Sequence, residues 1–454
     1  MPLDFLLLLL FFIFFQIAMS DLLAEAVYSA RLRDRPAHGP DLISFIWGSI
    51  AVGKLFAVGI VGALISRFGA RAPYAVCVPF ALLAFVIPIM NLIEEKPSPH
   101  RCCGKKAGAG DRTLTVVALL TGFGALGLSA LSVLGSSLDA KIAAAVALAL
   151  LVLLLFSSSL APVVAKINAF FFIQHFCTFG VDGAAFYFFT DGEEQYPEGP
   201  HFSTIFYTSV LGLASTAFSL IGMLMYTRYM KHWRYPRVLV VGNVLASSVG
   251  LVSSIVYLRW NLLLGISDRF FVLVSSAVST VVFELAWLPG MLIISQLCPE
   301  GREATMFALL AGAANLGSIL GGYFGATMLH LLGVEPRGVK GESAQFDRLW
   351  LAALISALGP CMPLCLLRWL IPNVSQQDRM EGLGNATDGS LLSRLCGWSA
   401  NGQADARNPA KYARVIGRSN GDAEEPSEEE LGVGALEIES PTHRSSACDE
   451  QPDA

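Results

Sequence analysis

The chain has 454 residues, of which 54% are hydrophobic and only 15% charged, with a mean hydropathy of +0.58. A soluble globular protein carries about 25% charged residues, so this composition excludes an ordinary soluble domain, and the length counts membrane spans instead. The net charge of -5 reflects acid gathered near the end (Glu424, Glu425, Glu428, Glu429, Glu430), leaving a near-neutral or slightly basic body with no electrostatic support for nucleic-acid binding.

Hydropathy marks about eleven apolar runs long enough to cross a bilayer, which takes about 20 residues. They fall roughly at 3–20, 42–66, 72–93, 113–136, 140–164, 167–190, 204–227, 237–258, 270–297, 303–333 and 349–371. The expectation is an all-α, polytopic membrane helix bundle of about eleven transmembrane helices. Several runs exceed the length a span needs, which tilt or a break absorbs. The 303–333 run carries Gly312, Gly317, Gly321, Gly322 and Gly325, small residues that serve either close helix packing or a moving hinge.

Basic loops set the orientation. Arg31, Arg33 and Arg35 follow the first run; Lys96, Arg101, Lys105, Lys106 and Arg112 follow the third; Arg228, Lys231, Arg234 and Arg237 follow the seventh. If every run crosses once, all three loops share one side, taken as cytoplasmic, and the acidic loop starting at Asp191 lies opposite. Arg67, Arg71, Arg337 and Lys340 run against this. The carboxyl end is then inside and Met1 outside, and Asp4 in place of a basic residue fits a cleaved signal poorly. From about Gln376 the composition turns polar and acidic, which predicts a disordered cytoplasmic tail; there the sequons at Asn373 and Asn385 are chance matches. Cys77, Cys177, Cys361 and Cys365 lie in apolar runs as small hydrophobes. Cys102-Cys103 lacks a second ligand pair for zinc and reads alternatively as a palmitoylation site. No cofactor or metal spacing is present.

Polar groups in or capping the runs are the candidate chemistry. A carboxylate at membrane depth costs at least a few kcal/mol and normally faces a protein interior or a water-filled path. Asp21 and Glu25, one turn apart at the end of the first run, either pair with Arg31 or Arg33 at the inner rim or serve gating. Lys54 in the second run and Glu284 in the ninth lie mid-span. They form a buried pair, or Lys54 attracts an anionic solute while Glu284 takes and releases a proton. Asp182, followed by Phe186, Tyr187, Phe188 and Phe189, suits a flat heteroaromatic ligand with an amidine-like edge; the alternative is an interfacial aromatic belt. Asp268, with Arg269, opens the ninth run as a cap or as part of the path. Glu303 and Asn315 belong to the tenth. No nucleophile–base spacing, P-loop or dinucleotide fingerprint occurs, so the chain reads as a secondary transporter and not as an enzyme.

Gly265-Ile-Ser-Asp-Arg-Phe-Phe and Cys298-Pro-Glu-Gly-Arg-Glu-Ala-Thr-Met-Phe-Ala-Leu-Leu, followed by Asn315-Leu-Gly, resemble the folate–biopterin transporter family of the major facilitator superfamily. Asp21 with Glu25, Trp47-Gly-Ser and Pro200-His-Phe-Ser-Thr add to the resemblance, the last pointing to its protozoan and algal branch. The resemblance covers roughly residues 5–371. It implies twelve core helices in two halves, proton-coupled alternating access, and folate or pterin substrates. It also implies that the first run is similar to the family's fourth helix, so that three amino-terminal helices are absent. Residues 1–93 would then be a partial amino-terminal half, 94–112 a basic cytoplasmic loop, 113–164 an inserted helix pair, 165–371 the six-helix carboxyl-terminal half and 372–454 the tail. Where many relatives carry Arg after Trp-Gly-Ser, this chain has Ile50, with Lys54 one turn on. The leading expectation is a multi-pass transporter of folates or pteridines in a plasma or organelle membrane such as that of a plastid. Alternatives are another small metabolite, such as an amino acid or nucleoside-like solute, or a non-transporting membrane scaffold.

Overall fold

A computed structural model describes residues 3–69, 71–90, 109–134 and 137–378. Cys102-Cys103, most of the basic loop and the tail beyond residue 378, with Asn385, lie outside those residues. Helix α1 spans Leu3–Asp34, with no Gly or Pro to interrupt it, and ends one residue short of Pro36. Helix α2 spans Gly39–Phe68, with a proline in its first turn and Gly69 closing it at a positive φ of 81°. Then follow α3 (Ala72–Ile89), α4 (Ala109–Val133), α5 (Leu138–Ser159), α6 (Pro162–Phe176) and α7 (Asp182–Thr190). The remainder comprises α8 (Leu211–Met225), α9 (Tyr235–Ser253), the short α10 (Trp260–Leu263), α11 (Asp268–Gln296), α12 (Glu303–Leu332), α13 (Leu349–Leu358) and α14 (Leu367–Leu370). Proline at the start of α6 and α9 sets the helical φ where its missing N–H costs nothing.

Among the described residues, nine helical segments are long and apolar enough to cross a membrane, in keeping with the expected polytopic helix bundle. The run at 72–93 forms α3, an apolar helix of 18 residues. The run at 167–190 is not one helix. It breaks after Phe176, and α7 begins at Asp182. The last span, Ser343–Leu370, is pieced from 3₁₀ and α segments around Pro360 and Pro363.

Helix α11 packs along α8 and α9 and touches α2; α12 packs along α6, with α5 and α1 on its other sides; α4 pairs with α5. In a bilayer, lipid is as apolar as Leu, so van der Waals fit and satisfied polar groups hold helices together. The glycines of α12 show that fit. A Cβ placed on Gly317 would meet Phe172 O at 2.5 Å, on Gly321 Phe176 O at 2.7 Å, and on Gly325 Gly180 O at 2.5 Å. The stripe therefore receives the end of α6 and the break itself. Irregular backbone at membrane depth survives only where protein satisfies its polar groups. The Ser356 hydroxyl does so for Phe179 O at 2.6 Å.

One end of the bundle, rich in basic residues, is tied across elements. Arg33 pairs with Glu303 at 2.5 Å, and Lys231 with Asp41 at 3.0 Å. Gln376, fully buried, accepts from the Tyr226 hydroxyl at 2.5 Å and donates to Met230 O at 2.7 Å. Its neighbour Gln377 donates to Ala37 O at 3.1 Å, between α1 and α2. The opposite end holds an aromatic cluster in which Phe188, fully buried, meets Phe189, Tyr196, Tyr257 and Phe346 with ring centroids 5.0–5.7 Å apart.

Candidate functional site

Helices α1, α2, α6, α9, α11 and α12 line a cavity of about 1050 Å³, at the upper end of the roughly 300–1,000 Å³ usual for small-molecule sites. Asp21 and Glu25 both line it. The apolar run ends at Ser20, but the helix continues to Asp34, so these two acids sit within α1 and not at its end. Their four-residue spacing puts them on one face. Glu25 is only 8% exposed. The expected pairing with Arg31 or Arg33 does not form: Arg33 is taken by Glu303, which tethers the start of α12.

The walls are aromatic. Trp47 of α2 and Trp287 of α11 meet edge to face with centroids 4.4 Å apart, and Phe283 stacks on Trp287 at 6.2 Å and 18°. Phe171 and Phe307 complete the apolar lining. Polar groups are interspersed: Gln174 and His175 on α6, Asn243 on α9, Ser276 and Thr280 on α11, and Asn315 on α12. Asn315 thus stands in the cavity. His175 Nδ1 lies 2.8 Å from Phe171 O. A carbonyl only accepts, so this nitrogen carries the hydrogen and a neutral ring keeps Nε2 as acceptor.

The remaining candidates do not join that group. The cavity lining includes none of Lys54, Asp182, Asp268, Arg269 and Glu284. Glu284 is buried where α2, α8 and α11 meet, beside Ser219 of α8, with Oε2 lacking a donor. Gly222 makes the room, since a Cβ there would lie 2.9 Å from Glu284 Cβ. Lys54 acts on Glu284 electrostatically but is itself exposed, so the mid-span pair is only half buried. Phe283 and Trp287 flank Glu284 in sequence and do line the cavity, so helix azimuth alone turns the acid away. Asp268 pairs with Arg259 at 3.1 Å and accepts from Asn261 Nδ2 at 2.8 Å, which pins the turn where Arg259 takes a left-handed φ of 57°. Arg269 is exposed and lies 6.0 Å over the Phe206 ring. Asp182 is exposed at the start of α7, while Phe188 and Phe189 after it are spent in the aromatic cluster.

Sequence reasoning passed over Gln174, His175 and Asn243. Each is a polar residue inside an apolar run, the same signal that singled out Asn315.

Beyond the spans, a second acidic pair joins two loops. Asp191, after α7, and Glu342, before α13, are both buried and hydrogen-bonded to each other. Burial, then the bond to and charge of Glu342, push Asp191 up to about 6. Burial opposes ionisation of Glu342 as well, but backbone N–H groups of Arg337 (2.8 Å) and Gly338 (2.7 Å) outweigh it and hold this carboxyl below its usual value.

Membrane-length helices around a polar, aromatic-walled cavity define a multi-pass integral membrane protein. Residues 1–388 match the model of the BT1 family, and the chain belongs to that family. It is 27% identical over 388 residues to a folate-biopterin transporter of Synechocystis, covering 84% of this chain and 66% of that protein. It is 30% identical over 209 residues to "Probable folate-biopterin transporter 5" of Arabidopsis thaliana, covering 46% of this chain and 40% of the relative. It is 26% identical over 196 residues to "Probable folate-biopterin transporter 9, chloroplastic" of the same plant, covering 42% and 34%. The chain therefore spans less than two thirds of these relatives' lengths. No solved structure matches.

Proposed function

We propose that this chain is a secondary membrane transporter of folates or pteridines, working by alternating access and coupled to protons. Family membership and the names of its relatives support the class. The observation that carries the reading is the cavity, where two carboxylates on α1 face walls made by Trp47, Trp287 and Phe283. A flat heteroaromatic ring stacks on such walls, with offset or edge-on aromatic contacts worth about 0.5–1.5 kcal/mol each beyond burial. Its N–H edge is met by carboxylate oxygens in charge-assisted hydrogen bonds, roughly twice as strong as neutral ones.

In this reading Glu284 carries the proton. It lies outside the substrate cavity but on the helix whose Phe283 and Trp287 wall it, at the seam with α2 and α8. Its unpartnered oxygen is satisfied either by a proton or by approach of the Lys54 ammonium, and switching between the two shifts α2 against α11. The ties Arg33–Glu303 and Lys231–Asp41 break whenever α1 and α2 part from α8 and α12 at the basic end. That end faces the cytoplasm in this scheme, in a plasma or plastid membrane.

The test is uptake of labelled biopterin and folate into proteoliposomes holding the full chain, driven by an inward proton gradient. Uptake of at least one solute above protein-free vesicles is expected. Glu284→Gln is expected to abolish the stimulation by the gradient while leaving solute exchange. Vesicles that take up neither solute would refute the proposal, and gradient-driven uptake unchanged in Glu284→Gln would remove that residue from coupling.

A further inference from the structure

Resting on the transport reading above, we infer that the cavity selects pteridines whose side chain carries no carboxylate over those bearing a carboxylated tail, as folate does, with Asp21 and Glu25 as the specificity residues. The argument is one of charge and shape within this cavity. Both residues line it, one helical turn apart. Glu25 is more than nine-tenths buried and has no hydrogen-bond or ion-pair partner among the described residues. A carboxylate so placed requires a donor, and a ligand in the cavity can supply one. The pterin edge, with its ring N–H beside an exocyclic amino group, offers two parallel N–H donors matched to the two oxygens of a carboxylate. The aromatic walls at Trp47 and Trp287 hold the ring's faces.

A folate adds a benzoylglutamate tail with two carboxylates, both ionised at neutral pH. Among the described residues lining the cavity, the acidic side chains are Asp21 and Glu25, and no Lys or Arg joins them. The cation of α2, Lys54, is exposed outside the lining. A carboxylate tail drawn into this space meets charge of its own sign in a medium where charges interact more strongly than in water. Biopterin, whose side chain carries hydroxyls alone, meets no such repulsion and finds acceptors and donors in Asn315 and Gln174.

The experiment is equilibrium binding to the purified full chain in detergent of three ligands with no, one and two tail carboxylates: biopterin, pteroate and folate. Affinity is expected to fall in that order, with at least a tenfold gap between biopterin and folate, equivalent to about 1.4 kcal/mol. In Asp21→Asn/Glu25→Gln, biopterin is expected to weaken and folate to hold or gain, so that the gap closes to within about threefold. A residue serving packing alone would weaken both ligands together. Equal wild-type affinities, folate binding tighter, or a gap that survives in the double variant overturns this inference while leaving the transport reading intact. If none of the three binds and neither folate nor biopterin enters proteoliposomes, the transport reading itself falls. Should the double variant fail to fold, the wild-type order of the three ligands still decides.

Discussion

Gly325→Ala tests the packing that holds the helix break in place. A Cβ at this position would stand 2.5 Å from Gly180 O and 2.7 Å from Gly180 N. Ordinary contact begins near 3.4 Å, so the backbone of the break must retreat by roughly 1 Å or α12 must move away from α6. Inserting one carbon into such a contact costs about 1–3 kcal/mol, which outweighs the gain of up to about 1 kcal/mol from replacing helical Gly by Ala. The break links His175 and Thr178, which line the cavity, to α7, so ligand affinity falls along with stability. Gly322→Ala is the internal control. It lies on the same helix, and an added Cβ there meets nothing within 4 Å, so it is expected to be neutral or slightly stabilising. The assay is thermal melting of the purified protein in detergent, read alongside biopterin binding. If Gly325→Ala melts and binds like Gly322→Ala, the close approach of α12 to the break is not a structural constraint and the reasoning is refuted.

Ser356→Ala removes the donor to Phe179 O and is expected to cost roughly 1–3 kcal/mol, the penalty for an unsatisfied buried acceptor, seen as a lower melting temperature; Ser356→Thr retains most of it. Breaking the Arg33–Glu303 pair, whose side chains are 19% and 15% exposed, is expected to destabilise by about 1–3 kcal/mol, between surface and buried limits. A double-mutant cycle of Arg33→Ala and Glu303→Ala measures it, and an interaction near zero contradicts the role as a tie. The loop pair Asp191–Glu342 predicts a pH window. Asp191, raised from 3.8 to about 6, stabilises the contact fully below its unfolded value and loses that contribution as pH rises through about 6. Glu342, lowered, contributes above its unfolded 4.5 and loses it as pH falls through its folded value. The two slopes leave the singly protonated pair tightest at about pH 3.8 to 4.5, and the contact loosens from there as pH rises through about 6. Hydrogen exchange of the two loops, corrected for intrinsic rates, should be slower at pH 5.5 than at pH 7.5, and Asp191→Asn should remove most of the difference.

The membrane class, most of the spans and the family motif blocks were legible from residue order, because insertion energy sums over a local stretch of about 20 residues and needs no knowledge of neighbours. The run at 167–190 misled for a related reason. Cys177-Thr-Phe-Gly-Val is apolar enough for a span, yet its backbone leaves the helix where Gly317, Gly321 and Gly325 open space and Ser356 supplies a donor. Those partners are more than 130 residues away in the chain.

Residue order also showed that polar side chains sit at membrane depth, since each stands out against its apolar surroundings. Which of them share a void was decided by tertiary structure alone. Asp21 and Glu25 looked terminal, because hydropathy ends at Ser20 although helical hydrogen bonding carries on to Asp34, and the fold turned them into the cavity that Asn315 also lines. Glu284 looked central and was turned by helix azimuth into the α2–α8–α11 seam, while its neighbours Phe283 and Trp287 face the cavity. Depth is a one-dimensional property that a sequence window measures. Facing depends on rotation about each helix axis, with successive residues set about 100° apart, and only the packing of distant helices sets that rotation.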